Sequence, residues 1–154
     1  MVIKELKNRP DIDKYKKLNA SYTQFNKLLM ELRTKKLSDE TINTINNGIN
    51  KVNSVSDLEK ELSKQIKRTQ SHIIKLIEKE NKLVTKNHYR NTWLAVGMAV
   101  FGIPLGVAFG ASLGNMAFLG IGLPIGMVIG IAVGSGMDKK AFEEGRQIDL
   151  EIKH

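Results

Sequence analysis

Tyr15, Leu18, Tyr22, Phe25, Leu29 and Leu32 recur at steps of three and four residues, so they fall on one stripe of a helix expected near residues 12–36. A second stripe, Ile42, Ile45, Ile49 and Val52, follows Ser38. That serine is placed to cap a helix over 39–53, with Asp39 and Glu40 in its first turn. Gly48 and the surrounding asparagines weaken this helix. The third stripe is the longest. Ser56-Asp57-Leu58-Glu59 fits a capping box, after which Leu62, Ile66, Thr69, Ile73, Leu76, Glu80 and Leu83 alternate by four and three. Residues 56–90 hold neither proline nor glycine, so one helix of about 50 Å is expected there as a coiled-coil stalk. Its stripe is either spent inside an antiparallel bundle of this chain or shared with further copies. Thr69 and Glu80 interrupt the seam and favour the first arrangement.

The pattern then changes in kind. Residues 91–137 carry no charge and repeat G-[IL]-P-[LI]-G-x-x-x-G-x-x-x-G twice, as Gly102, Gly106, Gly110 and Gly114 and again as Gly122, Gly126, Gly130 and Gly134. The copies are offset by 20 residues, about one bilayer crossing each, which predicts a membrane hairpin with spans near 93–113 and 117–137 and a turn around Gly114-Asn115. Each span holds nine Leu, Ile, Val or Phe residues, giving about 3–5 kcal/mol of insertion energy before glycine and proline costs. Glycines four apart form a slowly winding groove without side chains. In lipid, where apolar helices gain nothing by hiding from water, such a groove lets backbones approach closely. Pro104 and Pro124 occupy the same repeat position and are expected to kink their helices, the alternative being that each begins a shorter one.

Charge sets the orientation. Arg90 precedes the first span, Lys139 and Lys140 follow the second, and the connecting turn is uncharged, so both flanks are expected in the cytoplasm, with Tyr89 and Trp93 at the interface. Twenty of the 24 lysines and arginines lie in residues 1–90 against 11 of the 16 acids, a formal excess of nine positive charges. Acids are interspersed among these bases, which argues against a nucleic-acid partner. The excess is expected to serve topology and solubility first, and attraction to anionic lipid, about 1 kcal/mol per lysine near the surface, fits better than nucleic acid as a further role. The first residues lack the apolar core of a secretory signal, so this polar part is expected to stay where it is made.

The run GIPLGVAFGASLGN followed by GIGLPIGMVIGIAVGSGMDKKAFEEGR resembles the glycine-zipper hairpins of small bacterial membrane proteins, which end in a similar charged tail. The likeness covers about residues 97–147. It implies tight helix association, often self-assembly, and placement in the bacterial inner membrane, with no catalytic residue to carry over.

Other chemistry finds little support. There is no cysteine, His72, His88 and His154 are scattered, and no phosphate-binding loop is formed because the glycine series meets no lysine. No catalytic, cofactor or metal site is expected. The fold class is therefore all-α: a cytoplasmic helical bundle and stalk over 1–90, a transmembrane hairpin over 91–137 and a charged cytoplasmic tail over 138–154. The function expected is that of a membrane-anchored interaction protein that self-associates through its glycine faces and presents its bundle to a cytoplasmic partner. An oligomeric pore is the main alternative, and a membrane-tethered nucleic-acid binder a weaker one.

Overall fold

A computed structural model describes residues 1–56 and 59–152, apart from the side chains of Glu59 and Met116. The capping box expected at Ser56-Asp57-Leu58-Glu59 falls partly outside these residues, and His154 wholly so. The described chain is mostly helical and divides into two compact units, one of Met1–Val84 with the segment from Ile148, the other of Thr85–Gln147.

In the first unit, Pro10 opens a 3-10 turn, Pro10–Lys14, which Tyr15 ends by leaving helical geometry at φ −116°. The helix α1 therefore starts at Lys16 rather than near 12 and runs Lys16–Arg33. Thr34 closes it, its hydroxyl donating to the Glu31 carbonyl at 2.7 Å. The helix α2, Asp39–Ser54, begins where expected, because Ser38 Oγ accepts the Thr41 amide at 3.2 Å. The helix α3 covers Glu59–Asn81.

These three helices share one apolar cluster. Leu18, Phe25, Leu29 and Leu32 of α1, Ile45, Ile49 and Val52 of α2, and Leu62, Ile66 and Ile73 of α3 are buried in it, while Tyr15 stays exposed. Further along α3 the buried residue is Ile77, whereas Leu76 is half-buried and Glu80 exposed. A straight helix turns 3.6 residues per revolution, so a strict 4-3 stripe drifts off the core face after three turns. Gly48, expected to weaken α2, has a packing task. A Cβ there would sit 2.8 Å from Thr69 Cγ2, so glycine lets α2 settle against the buried Thr69 of α3.

Ahead of these helices, residues 2–9 lie along the unit and end at Arg9, which is 9% exposed. Its Nη2 donates to the Val55 carbonyl at 2.9 Å, holding the chain to the C-terminal end of α2. Burial pushes the neighbouring Tyr22 hydroxyl up from its ordinary pKa, opposed by Arg9, and the hydroxyl donates to the Lys7 carbonyl.

The continuous helix expected over 56–90 is broken. Lys82 at φ 56° and Asn87 at φ 59° both turn left-handed, Leu83 N donates back to Ile77 O at 3.1 Å, and a short strand β1, Val84–Thr85, intervenes. β1 pairs with β2, Gln147–Ile148, as a two-stranded sheet. The residues expected to form a charged tail are thus partly built in: Ile148 is fully buried and Leu150 is 6% exposed, both in the first unit's core.

The second unit is two helices of 25 residues, His88–Ser112 and Leu119–Glu143. Each is about 37 Å long at 1.5 Å per residue, enough to cross the 30 Å hydrocarbon core of a bilayer. The first is continuous but mixed: α4, His88–Gly97, passes through a π turn, Met98–Gly102, into α5, Ile103–Ser112. Pro104 sits in the first turn of α5, where its missing N–H is absorbed by the widened turn before it. Pro124 lies inside the second helix, α6, which stays helical throughout. Gly114, at φ 66°, ends α5 with Asn115 N donating to Gly110 O at 3.0 Å, and a 3-10 turn, Met116–Phe118, leads into α6. Gly145 ends α6 by the same device at φ 69°, with Arg146 N donating to Ala141 O at 2.9 Å.

Candidate functional site

The seam between α4–α5 and α6 is made of backbone. Gly102, Gly106, Gly110, Gly122, Gly126, Gly130 and Gly134 are all buried, and Gly97 joins them. A Cβ built on Gly122 would come within 3.0 Å of Gly102 O and Gly106 N, one on Gly126 within 3.0 Å of Gly97 O, and one on Gly130 within 3.0 Å of Trp93 O. On Gly134 it would lie 2.5 Å from both Arg90 Cα and Tyr89 O. The obstructing atoms are main-chain atoms of the facing helix, which cannot swing aside as a flexible side chain can. Of the eight glycines singled out by spacing, seven lie in this seam, and Gly114 makes the turn instead. Gly120 and Gly136, outside the four-residue phase, have nothing within 4 Å of an added Cβ.

The large side chains point the other way. Val100, Ile103, Leu113 and Val128 are among the exposed apolar residues, Val128 at 67%, and only 22% of the apolar stretch of each long helix is buried. A helix buried in the core of a water-soluble protein would show the reverse, with large apolar groups inside. Here the inside is glycine and the outside is Leu, Ile, Val and Phe.

One end of the seam holds a group that the glycine spacing did not single out. Asp138 occupies the next position of the four-residue phase after Gly134 and is 6% exposed. Its Oδ1 accepts the Tyr89 amide at 3.0 Å and its Oδ2 accepts the Arg90 amide at 2.9 Å. These are the second and third residues of α4, whose own cap residue, Asn87, makes no side-chain capping bond. Asp138 thus caps α4 from the neighbouring helix, its negative charge lying at the positive end of the α4 dipole. Gly134, one turn earlier, permits the close approach that puts the carboxylate within reach.

The residues expected at the membrane interface converge on this end. Tyr89 and Arg90 give their amides to Asp138, Lys139 and Lys140 follow it directly with exposed side chains, and Trp93 lies one turn further in, half-buried. Lys139 is 3.9 Å from Glu143 and Lys140 is 4.0 Å from Glu144, both exposed pairs of little energetic weight. Arg146 is paired with Glu144, and its pKa is raised by hydrogen bonds to Glu144 and Tyr89. Elsewhere, a cleft of about 500 Å³ in the first unit is lined by Lys7, Arg9, Asp11, Tyr15 and Leu62, with Asp11 paired to Lys14 at 2.6 Å. Among the described residues, no three His, Cys, Asp or Glu side chains are grouped to hold a metal ion.

Compared with known protein families, with curated proteins and with solved structures, the chain matches none.

Proposed function

We propose that this chain is a membrane-anchored interaction protein of the bacterial inner membrane. Its hairpin, a glycine zipper closed within one chain, anchors it in the bilayer, and its helical unit is presented on the cytoplasmic side. The observation that carries this reading is the inverted packing of the hairpin, with glycine buried and large apolar side chains exposed. Lipid is the solvent that suits such a surface, since water disfavours two long helices whose apolar stretches are mostly exposed.

Self-association of copies belongs to the proposal in altered form. The eight-glycine face is spent inside the hairpin, so contacts between copies would use the lipid-facing sides of α4–α5 and α6. The pore reading draws less support, because the shared face is closed backbone to backbone and leaves no lumen within a hairpin. The excess of positive charge in residues 1–90 supports attraction to anionic headgroups on the same side.

The chain has no cysteine, so single cysteines report topology without a background. In intact spheroplasts, Ala117→Cys is expected to react with a membrane-impermeant maleimide, while Lys36→Cys and Lys140→Cys react only after lysis. Labelling of all three in intact cells would refute the hairpin topology.

A further inference from the structure

Three of the asparagines that burden the helix propensity of α2, Asn46, Asn50 and Asn53, share an occupation. Residues 2–7 carry no helix or strand of their own, and side chains of α1 and α2 read their backbone. Asn46 donates through Nδ2 to Val2 O at 3.0 Å and accepts at Oδ1 from Lys4 N at 2.8 Å. Asn53 repeats the contact one step on, donating to Glu5 O at 3.1 Å and accepting from Lys7 N at 2.8 Å. A side-chain amide presents one donor and one acceptor in the manner of a peptide group, so each asparagine pairs with this segment as a neighbouring strand would.

The spacing of the two partners agrees. Asn46 and Asn53 are seven residues apart, about 10.5 Å along the helix axis. Their contacts repeat every three residues of the extended segment, about 9.3 Å at the polyproline-II rise. One helix face can therefore read successive three-residue steps of an extended peptide. Arg33 adds donors from α1, with Nη2 on Lys4 O at 2.8 Å and Nε on Ile3 O at 3.4 Å. The Tyr22 hydroxyl donates to Lys7 O, and Lys4 Nζ donates to Asn50 Oδ1 at 3.1 Å. Ile3, 5% exposed, and Leu6 pack their side chains against the core.

Most of these contacts fall on main-chain groups that any peptide owns. What the site selects is an extended conformation, apolar side chains three residues apart, and a lysine directly after the first. We propose that this face of α1 and α2 is a peptide-recognition groove, with residues 2–7 as its resident occupant and an extended Ile-Lys-x-Leu-like segment of another protein as its partner in trans. The bonds to Asn53 are solvent-exposed and those to Asn46 are half-buried, so water competes for them and the segment opens more readily than the helices beneath it. The groove lies wholly in the first unit and stands whether or not the hairpin enters a bilayer.

The test uses the full chain in detergent micelles and a fluorescent peptide of sequence MVIKELKNR. In an Ile3→Asp, Leu6→Asp variant the resident segment is expelled, and the peptide is expected to bind saturably, about ten-fold tighter than to the parent, whose groove is occupied. Adding Asn46→Ala and Asn53→Ala should abolish that binding. Absence of saturable binding by a variant that keeps its helical circular dichroism would overturn the proposal, as would equal binding of a peptide carrying Ile3→Ser and Leu6→Ser. Disulfide formation between a Lys4→Cys copy and a separate Asn50→Cys copy, at the yield of the intramolecular pair, would assign the groove to a second copy and overturn it too. If the Ile3→Asp, Leu6→Asp chain does not fold, amide exchange on the parent decides. Lys4 and Lys7 amides exchanging about ten-fold or more faster than those of Ile45 and Ile49 support a segment that opens alone, and equal rates contradict it.

Discussion

Leucine in place of Gly130 drives the two hairpin helices apart, whereas leucine in place of Gly136 leaves them paired. The two sites are six residues apart on the same helix, and the same side chain is introduced at both. At Gly130 the first carbon of that side chain would overlap the Trp93 carbonyl and crowd Leu94 Cα, so one helix must move away from the other. At Gly136 there is nothing within 4 Å. Overpacking costs about 1–3 kcal/mol, with the upper end expected against fixed main-chain atoms, while the exposed change is expected within about 0.5 kcal/mol and slightly favourable in helix propensity. The expected order of damage follows the seam: Gly122, Gly126, Gly130 and Gly134 severe, Gly120 and Gly136 mild. Trp93 is the only tryptophan in the chain, so its emission reports the separation directly. Thermal unfolding of the purified protein in micelles gives the energetic scale. Equal effects at Gly130 and Gly136 would mean that the hairpin is not held by close backbone approach.

Alanine in place of Asp138 removes the cap of α4 from outside that helix. The Tyr89 and Arg90 amides then lose their acceptor at the half-buried end of the seam, and the loss is expected to reach about 2–4 kcal/mol. Asparagine keeps an acceptor oxygen but gives up the charge at the helix dipole, so it should recover part of the loss. The expected ranking in thermal unfolding is therefore Asp, then Asn, then Ala. Faster exchange of the Tyr89 and Arg90 amides in the alanine variant would localise the effect to this cap. An alanine variant as stable as the parent would show that Asp138 only happens to lie near those amides.

How much of this could be read from residues alone differs by region, for physical reasons. The two long apolar helices and the Gly114-Asn115 turn were readable because a charge-free stretch with a four-residue glycine phase has few other uses. Asp138 was missed although it continues that phase, because an aspartate beside two lysines resembles an ordinary hydrophilic flank. Its role depends on amides 48 and 49 residues away. The stalk expected over 56–90 ends at Asn81 because Lys82 and Asn87 adopt left-handed backbone conformations that usually fall to glycine, leaving no breaker residue to see. The apolar stripes of α1 and α2 were readable from period for the most part, but on α1 Tyr15 lies outside the core and the fully buried Leu28 was not in the stripe. On α3 the heptad pattern named Leu76 where the core takes Ile77, since the pattern repeats every 3.5 residues and the helix every 3.6. Asn46 and Asn53 of α2 looked like mere poor helix formers because their partners lie more than 40 residues earlier in the chain.

The central claim is that lipid surrounds the hairpin, whose bare helix faces close on each other, and fractionation of the full-length chain tests it most directly. After an alkaline carbonate wash the protein is expected to stay with the membrane pellet and to enter solution only with detergent. A chain that left the membrane in that wash and ran as a single monodisperse species in plain buffer would contradict the account.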